Sequence, residues 1–201
     1  MWWMVSCGHE PLVLETAELS ALGANRADWP RPGQPEALWV TSGGDDELWW
    51  ADARGYIHAP LAAVWHAALD PEVGVDRREV SDWTVTPDPV PGLAASYRVD
   101  LLVEDVITVE YELWWRHELQ KGTEADPQLV VAVWAKTDGT PFIDLLQGSL
   151  VLRRAGDDLT EVELQEELKA ALRDDATVVS YLQDFFASLV AASHGQPLPV
   201  W

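Results

Sequence analysis

From residue 77 to residue 169 the chain offers six strand candidates in succession, with no helix among them, and then one long amphipathic helix. The candidates are 77–86, 94–105, 106–117, 128–137, 142–154 and 159–169. Turn chemistry separates them at Pro87-Asp88-Pro89, Pro91-Gly92, Lys121-Gly122, Asp138-Gly139 and Gly156-Asp157-Asp158. The last candidate alternates cleanly, with Thr160, Val162 and Leu164 on one face and Glu161, Glu163, Gln165 and Glu167 on the other. That pattern predicts an antiparallel strand with one face in water. A sheet with one apolar face needs a cover, and few helices are on offer to supply it. The class is therefore α+β.

The long helix is predicted over 174–195. Asp174 and Asp175 open it, which suits the macrodipole, and Gly195 closes it. Val178, Leu182, Phe185 and Leu189, flanked by Val179, Phe186 and Val190, form a broad apolar stripe. A seventh strand is expected over 47–58, and it hands over to a helix with no loop between. Pro60 stands where a first-turn proline is tolerated, and Leu61, Val64, Trp65 and Ala68 follow at helical spacing. Asp70-Pro71 ends that helix. Before it, residues 1–46 read as an irregular arm rich in Pro and Gly, with an added strand at 37–41 and Trp29 as an anchor to the body. Residues 196–201 read as an extended tail.

The corner "GYIHAPLAAVWHAALDPE" resembles the opening of the START/Bet v 1-like superfamily, also called SRPBCC. Gly55, Ile57, Ala59, Pro60, Val64, Trp65, Asp70, Pro71 and Glu72 carry the likeness. The later "QGSLVLRR" and "LTEVELQEEL" resemble its last two strands, so the likeness spans about residues 47–195. It implies a helix-grip fold: a curved seven-stranded antiparallel sheet wrapped around the C-terminal helix, with two short helices after the first strand. It also implies that Pro60 and Trp65 close one end of the grip and that a bacterial protein is at hand.

Alternation and the 3.6-residue period place the candidate ligand-binding side chains. Tyr97, Val99 and Leu101 share a face, as do Tyr111, Leu113, Trp115 and His117. Leu164 and Glu166 join them from the last strand, and Leu182, Phe185, Phe186 and Leu189 from the helix. They are read as the lining of a pocket, with core filler as the other reading. Glu166 falls on the apolar side of its strand, and the expectation is that it sits past the core's edge, in water. His117 is expected to be a satisfied histidine near a strand end.

No other motif asks for chemistry. The five histidines (His9, His58, His66, His117 and His194) form no i, i+4 pair, so neither a metal nor another cofactor is expected, and no catalytic residue is assigned. Ser149 in "LQGSL" does not match the hydrolase elbow, and no phosphate-binding glycine loop occurs. Asp and Glu number 34 against 13 Lys and Arg, giving a net charge of −21. Such a surface repels nucleic acid and anionic lipid, and favours a monomer. Met-Val-Ser-Cys at 4–7 resembles a bacterial lipobox without its basic and apolar leader, so lipidation at Cys7 on an envelope protein stands beside a cytoplasmic reading. No run of about 18 apolar residues is seen, so no membrane-spanning helix is expected.

The expected function is non-enzymatic binding or transport of a lipid or other apolar small molecule. Two alternatives remain: a polyketide cyclase/dehydratase-like enzyme using Tyr97, Tyr111, His117 and Glu166, and a partner-binding domain with a filled core.

Overall fold

The computed structural model describes residues 18–34, 36–45, 48–104, 107–171 and 173–201. Cys7 and His9 lie outside them, and so does the reading of Cys7 as a lipidation site.

Eight antiparallel strands form one sheet: β1 (Leu38–Gly44), β2 (Trp49–Ile57), β3 (Asp82–Pro87), β4 (Ala95–Glu104), β5 (Thr108–Thr123), β6 (Asp126–Gly139), β7 (Ile143–Arg154) and β8 (Thr160–Ala170). Their order is β1-β2-β8-β7-β6-β5-β4-β3. Two short helices, α1 (Leu61–Ala68) and α2 (Pro71–Gly74), follow β2, and α3 (Asp175–Ser193) ends the fold. This is the helix-grip arrangement, with β1 as a strand beyond the expected seven. Ser42 ties β1 to the start of α3 by donating to Asp175 Oδ2 at 3.0 Å.

β5 runs six residues past its expected end at residue 117. Its pairing with β6 shifts register at Glu112/Leu113 and on both sides of Lys121. Such bulges bend and twist a strand, which is how a long hairpin curls around a helix. Gly122, at φ 100°, completes the turn. A Cβ there would meet the Asp126 carbonyl at 2.4 Å.

The corner at Pro60 behaves as its sequence suggests. Pro60 precedes α1 with φ −58°, and Asp70 caps α2 by accepting from the Glu72 amide at 3.0 Å. Trp65 is buried, and α1 packs across α3 and the neighbouring ends of β6 and β7.

The outer face of the sheet is drier than the alternation of β8 predicts. Gln165 and Glu167 are buried, and residues 18–34 lie across that face without forming a helix or strand. Leu19 joins Val131, Val133 and Val151 in a small second core there. Asn25 donates to the carbonyls of Ala53 and Leu164, both at 3.1 Å. Arg26 pairs with buried Asp52 at 2.6 Å, and Trp29 lies 5.2 Å from the Tyr56 ring. Weak periodicity in this segment reflects irregular backbone, not absence of packing.

α3 also departs from one expectation. By length and composition its 19 residues would suffice to cross a bilayer. In the fold its apolar stripe is turned onto the sheet, with Val178, Leu182, Phe185 and Leu189 all buried.

Candidate functional site

The grip is filled at one end and hollow at the other. Toward the end that α1 closes, Trp65, Tyr97, Trp115, Leu164, Phe185 and Leu189 are all buried in one continuous core. Toward the first turns of α3, a cavity of about 330 Å³ opens between sheet and helix. That volume lies at the low end of the roughly 300–1,000 Å³ typical of small-molecule pockets.

Each element contributes to the wall by its own period. Leu101 and Val103 come from β4, Val109, Tyr111 and Leu113 from β5, Ile143 and Leu146 from β7, and Leu168 and Ala170 from β8. Thr177, Val178 and Tyr181 face them from α3 at helical spacing. The rim is formed by Gly74, Asp76 and Glu79 on one side and by Ile107, Phe142, Ala171 and Arg173 on the others. Ile107 and Phe142 are 40% and 42% exposed, marking where the cavity meets solvent. Across the rim Arg173 pairs with Glu79 at 2.9 Å.

Four of the thirteen sequence candidates stand on this wall: Leu101, Tyr111, Leu113 and Glu166. Tyr97, Val99, Trp115, His117, Leu164, Leu182, Phe185, Phe186 and Leu189 point inward but form the packed end instead. On the helix the wall is one turn nearer the N-terminus than the centre of the apolar stripe, so Val178 and Tyr181 line it and Leu182 does not.

Glu166 is not in water. It is 4% exposed, and its Oε2 accepts from Trp134 Nε1 at 2.9 Å. The strand register explains how an indole on β6 reaches a carboxyl on β8. Trp134 stands opposite Gly148 on β7, and Gly148 stands opposite Glu166. The indole lies over the glycine: a Cβ on Gly148 would fall 2.0 Å from Trp134 Cζ2. Burial pushes the Glu166 carboxyl well above the usual carboxylate range, the Trp134 N–H opposes this, and Asp76 and Glu167 add to it. Isolated glycine inside a strand is a sequence signal for such close approach, and Gly148 in "LQGSL" carries it.

The other polar groups around the cavity include Tyr111, Tyr181 and Thr177 on the wall and Asp76 at the rim. The Tyr181 hydroxyl donates to the Gly74 carbonyl at 3.1 Å. Tyr111 and Tyr181 are both raised from the ordinary tyrosine value, first by burial and then by nearby carboxylates. Asp76 is raised by burial, while the amides of Arg78 and Glu79 hold it down. The cavity is thus largely apolar, with tyrosine hydroxyls and the Glu166 carboxyl at depth.

His117 is fully buried, 3.4 Å from the Tyr97 hydroxyl through Nε2, and its Nδ1 has no partner among the described residues. It is therefore not the satisfied strand-end histidine that was expected. It stacks with Tyr97 and Trp115, and burial lowers its pKa to about 4. Of the four side chains an acid–base reading requires, the cavity brings together Tyr111 and Glu166 and leaves Tyr97 and His117 in the packed end. No group of three or more His, Cys, Asp or Glu placed to hold a metal occurs among the described residues.

No protein-family model matches the chain, and no curated protein does. Solved structures do. Human StAR-related lipid transfer protein 5 superposes with a TM-score of 0.56 at 11% identity, over 84% of this chain and 86% of that one. The lipid transfer and protein localization domain of human StarD13 gives 0.54 at 11% identity, over 87% and 91%. The chain has a START-type fold. A looser likeness, the Zhui aromatase/cyclase from Streptomyces sp. R1128, has a TM-score of 0.46 at 14% identity, over 74% of this chain and 92% of that one.

Proposed function

We propose that this protein binds one apolar small molecule, of the lipid class or similar, in the cavity between its sheet and the first turns of α3. The carrying observation is that cavity: about 330 Å³, walled by Leu101, Val103, Leu113, Leu146, Leu168 and Val178, and opening to solvent at Ile107 and Phe142. The START-type fold supports the reading, since two proteins that superpose on this chain carry lipid transfer in their names. Affinity would come from apolar area removed from water, at about 25 cal/mol per Å² before the costs of association. The role in binding asks no chemistry of the wall.

The test is titration with N-phenylnaphthylamine, whose emission rises in apolar surroundings, followed by its displacement with linear hydrocarbons. One saturable site per chain, with energy transfer from Trp134 to the dye, is expected. Absence of saturable binding in the folded protein would refute the reading.

A further inference from the structure

Glu166 poses a question that apolar binding alone leaves open. A carboxyl facing a hydrophobic cavity must be neutralised or paired, because an isolated buried carboxylate is very costly. Among the described residues no Lys, Arg or His is paired with it. Trp134 Nε1 occupies Oε2 as a donor, which obliges that oxygen to accept. The carbonyl-type oxygen is the better acceptor, so in the acid form the proton is best placed on Oε1, which makes no hydrogen bond among the described residues and faces the cavity. Gly148 makes the geometry rigid by letting the indole lie flat across β7.

We propose, building on the apolar-ligand reading above, that Glu166 in its acid form donates a hydrogen bond through Oε1 to a neutral carbonyl of the ligand, so that the cavity selects ketones, esters or lactones over plain hydrocarbons and over carboxylates. The charges around it favour a neutral partner. Asp76 and Glu79 face the cavity from the segment after α2, Tyr111 from β5 and Tyr181 from α3, while Glu167 is the neighbouring carboxyl on β8. Arg173 is the one cation among the described wall residues, and it stands at the rim in an ion pair with Glu79. A carboxylate reaching Glu166 would find no counter-ion at that depth. Burial also pushes the Glu166 carboxyl well above the usual carboxylate range.

The experiment compares three probes of equal chain length by displacement of N-phenylnaphthylamine: methyl nonyl ketone, undecane and undecanoate. At neutral pH the ketone should bind roughly five- to tenfold more tightly than undecane, the yield of one hydrogen bond. Undecanoate should bind no better than undecane. The ketone's advantage should fade as pH rises and Glu166 ionises. In Glu166→Gln the amide can donate to the ketone while its carbonyl accepts from Trp134, so the advantage should persist and become independent of pH. Glu166→Leu should abolish it, and if that variant does not fold, the glutamine pH profile decides. If undecane binds and the ketone binds no better, the inference fails while the apolar-ligand reading stands. A glutamine variant that keeps the parent's pH dependence, or undecanoate as the tightest probe, would also overturn it. If neither the dye nor any probe binds, both fall together.

Discussion

Trp134 and Gly148 occupy directly opposed positions on β6 and β7, and the indole uses the space a side chain on residue 148 would fill. The interior of the grip depends on that absence. With the ring flat, its N–H reaches Glu166 on the next strand, and its faces meet Trp115 at 4.6 Å and the edge of Phe185 at 5.8 Å.

Gly148→Ala should therefore be far more disruptive than its size suggests. The added methyl would have to displace a fully buried indole, an overpacking cost of about 1–3 kcal/mol. Denaturant melts read the loss, and a red-shifted Trp emission reports the displaced ring. A stability unchanged within about 0.5 kcal/mol would show that the ring moves aside freely.

The outer strap, residues 18–34, should matter to the fold although it has no regular structure. Arg26 is half exposed, but its partner Asp52 is buried, with Gln165 as its other side-chain partner at 3.1 Å. Arg26→Ala removes the cation from a buried carboxylate, and a loss of about 1–3 kcal/mol is expected. The double variant Arg26→Ala, Asp52→Asn should recover part of it. Equal melting of the single variant and the parent would show that the strap rests on the sheet without holding it.

His117 should make the fold sensitive to mild acid. Its pKa is lowered from 6.5 to about 4 by burial. The unfolded chain takes up this proton below about pH 6.5, whereas the folded protein resists until about pH 4, so stability falls as pH falls through that window. The contribution is on the order of 3 kcal/mol for a fully buried imidazole. His117→Phe keeps the stacking with Tyr97 and Trp115 and removes the titration. Denaturant melts from pH 7 to 4 should show a shallower decline in the variant than in the parent, and parallel declines would contradict the assignment.

The faces of β4, β5 and β8 were legible, because alternation depends only on local geometry. Tyr97, Val99, Leu101 and Val103 on β4, and Val162 and Leu164 on β8, point inward as their spacing predicts. The corner at Pro60 was legible for the same reason. The boundary between filled and hollow interior was not. It depends on how Trp65, Trp115 and Phe185, from three distant segments, share one space, and periodicity says nothing about that. Glu166 was read as wet because nothing local reveals that Trp134 lies two strands away with a glycine between. The burial of Gln165 was hidden likewise, since its partners Asp52 and Ser149 hold amides of a strap more than a hundred residues earlier.

Calorimetric titration of N-phenylnaphthylamine at several temperatures, in the parent and two helix variants, tests the central claim most directly. Val178 lines the cavity and Leu182 belongs to the packed end, one turn further along α3. The parent should show one site with a negative heat-capacity change, the marker of apolar burial. Val178→Trp should fill the hollow and abolish binding while the protein still melts cooperatively. Leu182→Trp should instead destabilise the fold by about 1–3 kcal/mol, having no space to enter. Binding that survives Val178→Trp with the same heat capacity would place the ligand elsewhere and contradict the account.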